Sequence, residues 1–355
     1  MSRARTIKLD RKTPYRMLAG VGGIGTGIFF ALEGNRTLGR NESRPGRLLD
    51  VRDYCKLHII AHYVSVLLGA SPSGKPFHVL PLGKVGDDET GRRLTREMAD
   101  VGIDTRFVEA VRGRPTLMSV CFQYPDGSGG NITTSQAAAS VLEAADLDKV
   151  GTFLAAHTGH FIAVAAPEVP LAARKHLLEI ATRYKGLRAA AFTSAEMAEA
   201  RKMGIFQMCD LVSLNEDEGR VLAGAAFEPK KAEAFLEKCA AALTRMNRAI
   251  MAIISAGRHG AYGFAGGKWE HRRAVEVAVA NTAGAGDALL SGVLAGLAAG
   301  WPFIGEGPGE RPFANALELG VVLASYKCTS PHTIHPEANL GSLIAFAKDH
   351  GALSR

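Results

Sequence analysis

The chain has 355 residues, 47% of them apolar and 22% charged, and carries a formal net charge of +7. That composition belongs to a folded globular protein with room for one large α/β domain or two ordinary ones, and it excludes disordered and fibrous chains. No apolar run approaches the ~20 residues needed to cross a bilayer, and "MSRARTIKLDRKTPYR" at the N-terminus has no apolar core for a secretory signal, so a cytoplasmic protein without a membrane partner is expected.

Residues 1–50 hold ten Lys or Arg against Asp10, Glu33, Glu42 and Asp50, which is most of the excess charge. These charges lack the aromatic interleaving and the reading helix of a nucleic-acid binder, so no nucleic-acid partner is expected. Residues 1–14 read as a flexible basic tail. Cys55, Cys121, Cys209, Cys239 and Cys328 are far apart, odd in number and without metal-ligand spacing, and they read as reduced thiols.

The segment from Tyr15 begins as a short strand and runs into Gly20, Gly22 and Gly25, spaced G-x-G-x-x-G. A dinucleotide-binding unit needs a full helix after the third glycine, yet Thr26 to Leu32 is short and β-favouring and "EGNRTLGRNESRPGRLLD" reads as turns. Asp53 to Gly69 has helix start and stop signals and carries Lys56, His58 and His62; the two histidines lie one turn apart, but a pair without a third ligand is ordinarily a packing feature. Phe77 to Leu82 is an apolar strand. Asp87 and Asp88 follow it and are read as turn and cap residues of a helix through Asp100, and Thr116 to Tyr124 alternates as a strand.

From Gly151 to Ala256 strands and helices alternate, with strands at Phe161–Ala165, Arg188–Phe192, Leu211–Leu214 and Ile250–Ile254. This order predicts a mostly parallel sheet with helices on both faces, whose ligands lie beyond the C-terminal strand ends. Asn215 and Glu218 follow one such end, and Ser255, Gly257 and Gly260 follow the next. Then Val275, Val277 and Val279 alternate with other residues as a strand would, Asn281 to Asp287 form a glycine-containing loop, and an Ala- and Leu-rich helix runs to Gly300. Glycine amides beside a helix N-terminus can hold an anion, and Asp287 stands there as an ionised proton acceptor.

"NTAGAGDALLSGVLAGLAAG" resembles the C-terminal motif, DTxGAGD, of the PfkB or ribokinase-like carbohydrate and nucleoside kinases. "GKVGDDETG", "NEDE" at Asn215 and "SAGRHG" at Ser255 are similar to further family motifs in the same order. The resemblance implies a ribokinase-like α/β fold: a Rossmann-type, three-layer domain over residues 15–355 with a mostly parallel central sheet. A small β-strand lid would be drawn from about 26–50 and 105–134. It implies an ATP-dependent kinase acting on a small-molecule hydroxyl, of a sugar or sugar derivative. The alternatives are a nucleoside kinase of the same fold or a ligand binder without turnover.

On that resemblance Asp287 is the base and Gly284, Ala285 and Gly286 form the anion hole. Asn215 and Glu218 position Mg²⁺ through water, and Ser255, Gly257, Gly260, Thr282 and Asn315 contact ATP, with the segment around Ser325 near the purine. The acceptor would meet Gly22, Gly23 and Gly25 at the first strand and Asn41 and Arg44 in the lid. The family's substrate-gripping Asp falls near Gly25, and Arg40, Arg44 and Arg47 stand in the lid segment, so an anionic acceptor is expected as one option. Asn281 replaces the first Asp of the motif and leaves open whether a monovalent cation binds beside it. A homodimer through the lid is also open.

Overall fold

The computed structural model describes residues 6–9, 12–126, 129–307 and 311–353. Part of the expected basic tail, residues 1–5, 10 and 11, lies outside the described residues. In the rest of it Ile7 is buried and its N–H donates to the Leu67 carbonyl, and Thr13 is buried too, so this portion is packed and not frayed.

Thirteen strands are present among the described residues. They are β1 (Met17–Val21), β2 (Gly25–Leu32), β3 (Gly46–Leu49), β4 (His78–Gly86), β5 (Val108–Val111), β6 (Leu117–Gln123) and β7 (Gly129–Thr133), followed by β8 (Phe161–Ala165), β9 (Leu187–Ala191), β10 (Leu211–Asn215), β11 (Met251–Ser255), β12 (Ala261–Ala265) and β13 (Lys268–Arg272). Nine of them form one sheet in the order β13-β12-β11-β10-β9-β8-β1-β4-β5, and β3-β2-β6-β7 form a second, smaller sheet. The large sheet is parallel from β11 to β5, and β12 and β13 add an antiparallel edge. β5 falls inside the span expected for the lid but pairs with β4 at the edge of the large sheet.

Every residue of β1 and β8 is buried, because helices cover both faces of a parallel sheet and leave no side for water. Along β1, Leu18 packs into the core on one face while Met17, Ala19 and Val21 pack into the core on the other. On the first face the Lys56–Leu67 helix lies against the Ala285–Ala298 helix, which lies against the Ala316–Cys328 helix. The last two approach closely: a Cβ at Gly292 would stand 2.6 Å from Gly320 Cα. Small residues in this helix therefore serve backbone contact. β1 lies between β4 and β8, so connections diverge on either side of it and a crevice opens at its C-terminal end.

The glycines after β1 have a packing explanation. A Cβ on Gly22 would sit 2.8 Å from Ala166 Cβ, and one on Gly25 would collide with the Leu117 carbonyl and lie 2.8 Å from Cys55 Sγ. After Gly25 the chain continues as β2 and not as a helix, which removes the dinucleotide-binding context. Overpacking of this kind costs roughly 1–3 kcal/mol. Gly25→Val should lower stability by about that amount in urea unfolding, and an unchanged midpoint would show that β2 can move away from Leu117 at no cost.

Candidate active site

Gly284 adopts the left-handed conformation, φ 80°, and caps the Ala285–Ala298 helix. A side chain there would be strained and would also meet the Thr333 carbonyl at 2.8 Å. The Ala285 N–H donates to the Thr282 carbonyl at 3.1 Å. Of the three expected anion-hole residues, Ala285 thus has its amide engaged in a turn. Gly286 and Asp287 supply the first-turn N–H groups that have no acceptor within a helix.

Asp287 stands in this first turn with its side chain 12% exposed, and its Oδ2 lies 3.8 Å from Lys56 Nζ. Burial raises its pKa while Lys56 opposes the rise. A helix N-terminus had been expected to hold it low. Desolvation of the buried carboxylate outweighs the favourable helix N-terminus. A carboxylate with a raised pKa is the stronger base.

Lys56 opens its helix, and its pKa is raised, chiefly by Asp287 and further by Glu168 and Glu218 against the effect of burial. Its backbone N–H donates to Glu168 Oε2 at 3.1 Å. Glu168 follows β8 in "APEVP" with φ 75°, a conformation rare for a side-chain-bearing residue and one that clusters at functional sites. Burial pushes its carboxyl up to about 7, with the Lys56 charge holding it back. A Cβ at Gly23 would lie 2.6 Å from Glu168 Cβ. The structure thus brings Gly22 and Gly23 to the site as the close-packed wall that admits Glu168.

The inner face of the small sheet closes over this region. Gly27, Ser119 and Thr133 pair directly across β2, β6 and β7, as do Cys121 and Asn131, so these side chains share one face. The Ser119 and Thr133 hydroxyls hydrogen-bond at 2.9 Å, and Asn131 donates to Thr133 at 3.2 Å. Asp53 lies against Gly27, and burial pushes its carboxyl up to about 6 while Thr333 hydrogen-bonds to it.

On the other side of the Gly284 turn is a cavity of about 750 Å³. Asn215, Ser255, Gly257, Gly260, Thr282, Ala285 and Gly286 line it, with Val275, Val277, Leu289, Val321 and Ala324 as its apolar wall and Ser325 beside them. The alternating Val275–Val279 segment is extended but is not a strand. It crosses the Ala316–Cys328 helix, where the Val275 N–H donates to Ser325 Oγ, and spends its valines on the cavity. Asn215 caps the Glu216–Ala223 helix in a reciprocal box: Glu218 N–H donates to Asn215 Oδ1 at 2.9 Å and Asn215 N–H to Glu218 Oε2 at 2.7 Å. Burial raises the Glu218 pKa.

Three expected contacts are not brought to the site. Asn315 is fully buried, caps its helix by accepting from Glu318 N–H, and donates to Glu270 and the Gly305 carbonyl, so it is a structural cap and not a purine contact. Asn41, with φ 58°, is exposed in the β2–β3 connection. Arg44 in the same connection donates to Glu42 and to the Arg36 carbonyl, which spends its fork within the turn. Asp88 caps the Glu89–Asp100 helix and accepts from Thr116, as a cap reading requires. Burial lowers the pKa of both helix histidines, His62 to about 4.

The family model for pfkB family carbohydrate kinases matches residues 65–339. The chain belongs to that family. It is a phosphotransferase acting on a hydroxyl group. No curated protein sequence matches it. Among solved structures, the kinase is similar to ribokinase from Cryptococcus neoformans in complex with ADP, at 20% identity and TM-score 0.71, over 93% of this chain and 98% of that one. It is similar to Arabidopsis thaliana ribokinase complexed with ribose and ATP, at 16% and 0.68, over 94% and 99%. Burkholderia thailandensis nucleoside kinase in complex with inosine follows at 16% and 0.67, over 95% and 99%. These TM-scores and coverages establish the ribokinase-like fold, and the small sheet is consistent with its lid.

Sequence reasoning missed Glu168 and the partnership of Lys56 with Asp287. The Glu168 carboxyl titrates near 7 folded against 4.5 unfolded, so between those values the native kinase binds more protons than the unfolded chain. Stability from this group is therefore highest below pH 4.5 and falls as pH rises through 7. Glu168→Gln keeps an acceptor oxygen and removes the charge. Its melting temperature relative to wild type should be higher at pH 8 than at pH 5; the reverse trend would mean that attraction to Lys56 outweighs burial.

Proposed function

We propose that this kinase transfers the γ-phosphoryl group of ATP to a hydroxyl of a neutral polyhydroxy acceptor, a sugar or the ribose of a nucleoside. The observation that carries the reading is the position of the Gly284–Asp287 turn. On one side Thr282 and Gly286 line a cavity of nucleotide size with a dry wall, and on the other Asp287 meets Lys56 under the lid. ATP enters the first side and the acceptor the second. Asp287 takes the proton of the acceptor hydroxyl, and Lys56 and the amides of Gly286 and Asp287 balance the charge on the phosphoryl group in transit.

Asn215 lines the cavity and Glu218 stands behind it in the capping box, so the pair would act on a magnesium ion through water and not as direct ligands. Bound there, the ion neutralises charge on the ATP phosphates. The acceptor side favours neutral hydroxyls, because Glu168 and Asp53 carry carboxyl groups beneath a lid face of Ser119, Asn131 and Thr133. With Arg44 tied to Glu42, the support for an anionic acceptor from that arginine falls away.

The test is ADP release with a panel of sugars and nucleosides. Asp287→Asn should lose roughly 10²–10⁴ in kcat while ATP still raises its melting temperature. Near-normal turnover would move the base elsewhere.

The lid also supports pairing with a second copy. Its outer face carries Ile28, Leu48, Met118 and Ile132 at 39%, 61%, 44% and 71% exposure, alongside Phe30, Val120 and Phe122. So continuous an apolar face on a sheet is ordinarily covered. A wild-type dimer in sedimentation, converted to monomer by the double change Leu48→Glu and Ile132→Glu, is the expected result; a monomeric wild type would end the idea.

A further inference from the structure

Lys327 is fully buried in the last turn of the Ala316–Cys328 helix. Its Nζ donates to the Asn281 carbonyl at 2.7 Å, at the start of the motif loop. The same asparagine is tied on its other atoms. Its Nδ2 donates to the Pro331 carbonyl at 2.7 Å, its Oδ1 accepts from Ala283 N–H at 2.9 Å, and the N–H groups of Ala280 and Asn281 both point to the Cys328 carbonyl. Thr333, further along, faces Gly284 through its carbonyl and accepts from Tyr54 N–H through its hydroxyl. Residues 327–333 therefore brace the anion-hole turn against the start of the Lys56 helix.

The family resemblance leaves open a monovalent cation beside this loop, and the residues present do not fit one. Such an ion is held by carbonyl or carboxylate oxygens that replace its hydration shell. Here the loop supplies Asn281 in place of the aspartate, and the carbonyls of Asn281, Cys328 and Pro331 already accept from N–H or ammonium donors. A second positive charge would also stand next to a buried ammonium. Burial lowers the Lys327 pKa to about 8, with Cys328 and Asp53 opposing, and the side chain is still mostly protonated at neutral pH.

We propose that the Lys327 ammonium is a built-in substitute for that cation, a positioning residue that fixes the Asn281–Gly284 turn and frees the enzyme from potassium or sodium. The inference rests on the kinase reading for its catalytic part alone; the filled seat is a property of the folded chain. It adds a buried positive charge at the start of the motif loop that no salt can wash out.

The experiment compares potassium, ammonium and tetramethylammonium chloride at equal ionic strength. Wild type should show less than about a twofold change in kcat and no potassium-specific rise in melting temperature. Lys327→Ala, which empties the seat, should lose at least tenfold in kcat, regain most of it with potassium or ammonium but not with the bulky cation, and show a matching rise in melting temperature. Lys327→Met keeps the volume and should lose activity without rescue. Several-fold stimulation of wild type by potassium, or a potassium-specific stabilisation of it, overturns the proposal. So does an Ala variant indifferent to all three salts. If wild type releases no ADP with any acceptor, the kinase reading fails, and the melting temperatures of wild type and Lys327→Ala still decide whether the seat is filled.

Discussion

The site depends on a lysine and an aspartate held 3.8 Å apart where a helix begins. Burial alone would drive Asp287 toward its neutral form and Lys56 toward its own, and each is kept closer to its charged form by the other. That mutual dependence fixes the geometry around it. Lys56 must open its helix beside the β8 loop, so the glycines after β1 have to be small, and Asp287 must face Lys56, so the preceding turn needs the left-handed Gly284. Close backbone packing between the Ala285–Ala298 and Ala316–Cys328 helices then holds the turn from behind.

The sheet was legible in the sequence because its central strands are apolar runs of strand length bounded by turn signals. β8 matches its expected span and β9, β10 and β11 lie within a residue of theirs, since burial on both faces leaves little latitude in register. The Val275–Val279 alternation was misleading for a physical reason. A segment laid over a helix can bury alternate residues as an edge strand does; here the N–H groups of Val275 and Ala280 go to Ser325 Oγ and the Cys328 carbonyl of that helix and not to a neighbouring strand.

Side-chain roles were less legible, because an Asn before a helix reads the same whether it caps or contacts a ligand. Asn215 caps its helix and also lines the cavity, whereas Asn315 is buried behind Glu270 and Gly305. Arg44 could not be placed without knowing that Glu42, two residues away, would take its fork. Glu168 did leave a signal: an acidic residue between prolines just past the C-terminal end of a central parallel strand, where such sheets bind ligands.

Charge placement distinguishes the two sides of the turn. On the side proposed for the acceptor Glu168, Asp53 and Asp287 stand near Lys56, and the carboxyls of Glu168 and Asp53 are pushed up to about 7 and about 6. Groups so close to neutrality lose little when an acceptor displaces their water, and each can accept from a hydroxyl or donate to one according to its protonation. An acceptor bearing its own negative charge would have to face three carboxyl groups with Lys56 already paired. The fixed positive charges, the helix N-terminus and the Lys327 ammonium, lie instead beside the motif loop, which in the proposed function would meet the phosphates. In the proposed function the same turn would present carboxyls to hydroxyls and positive potential to phosphate, which is the asymmetry that a transfer from one to the other requires.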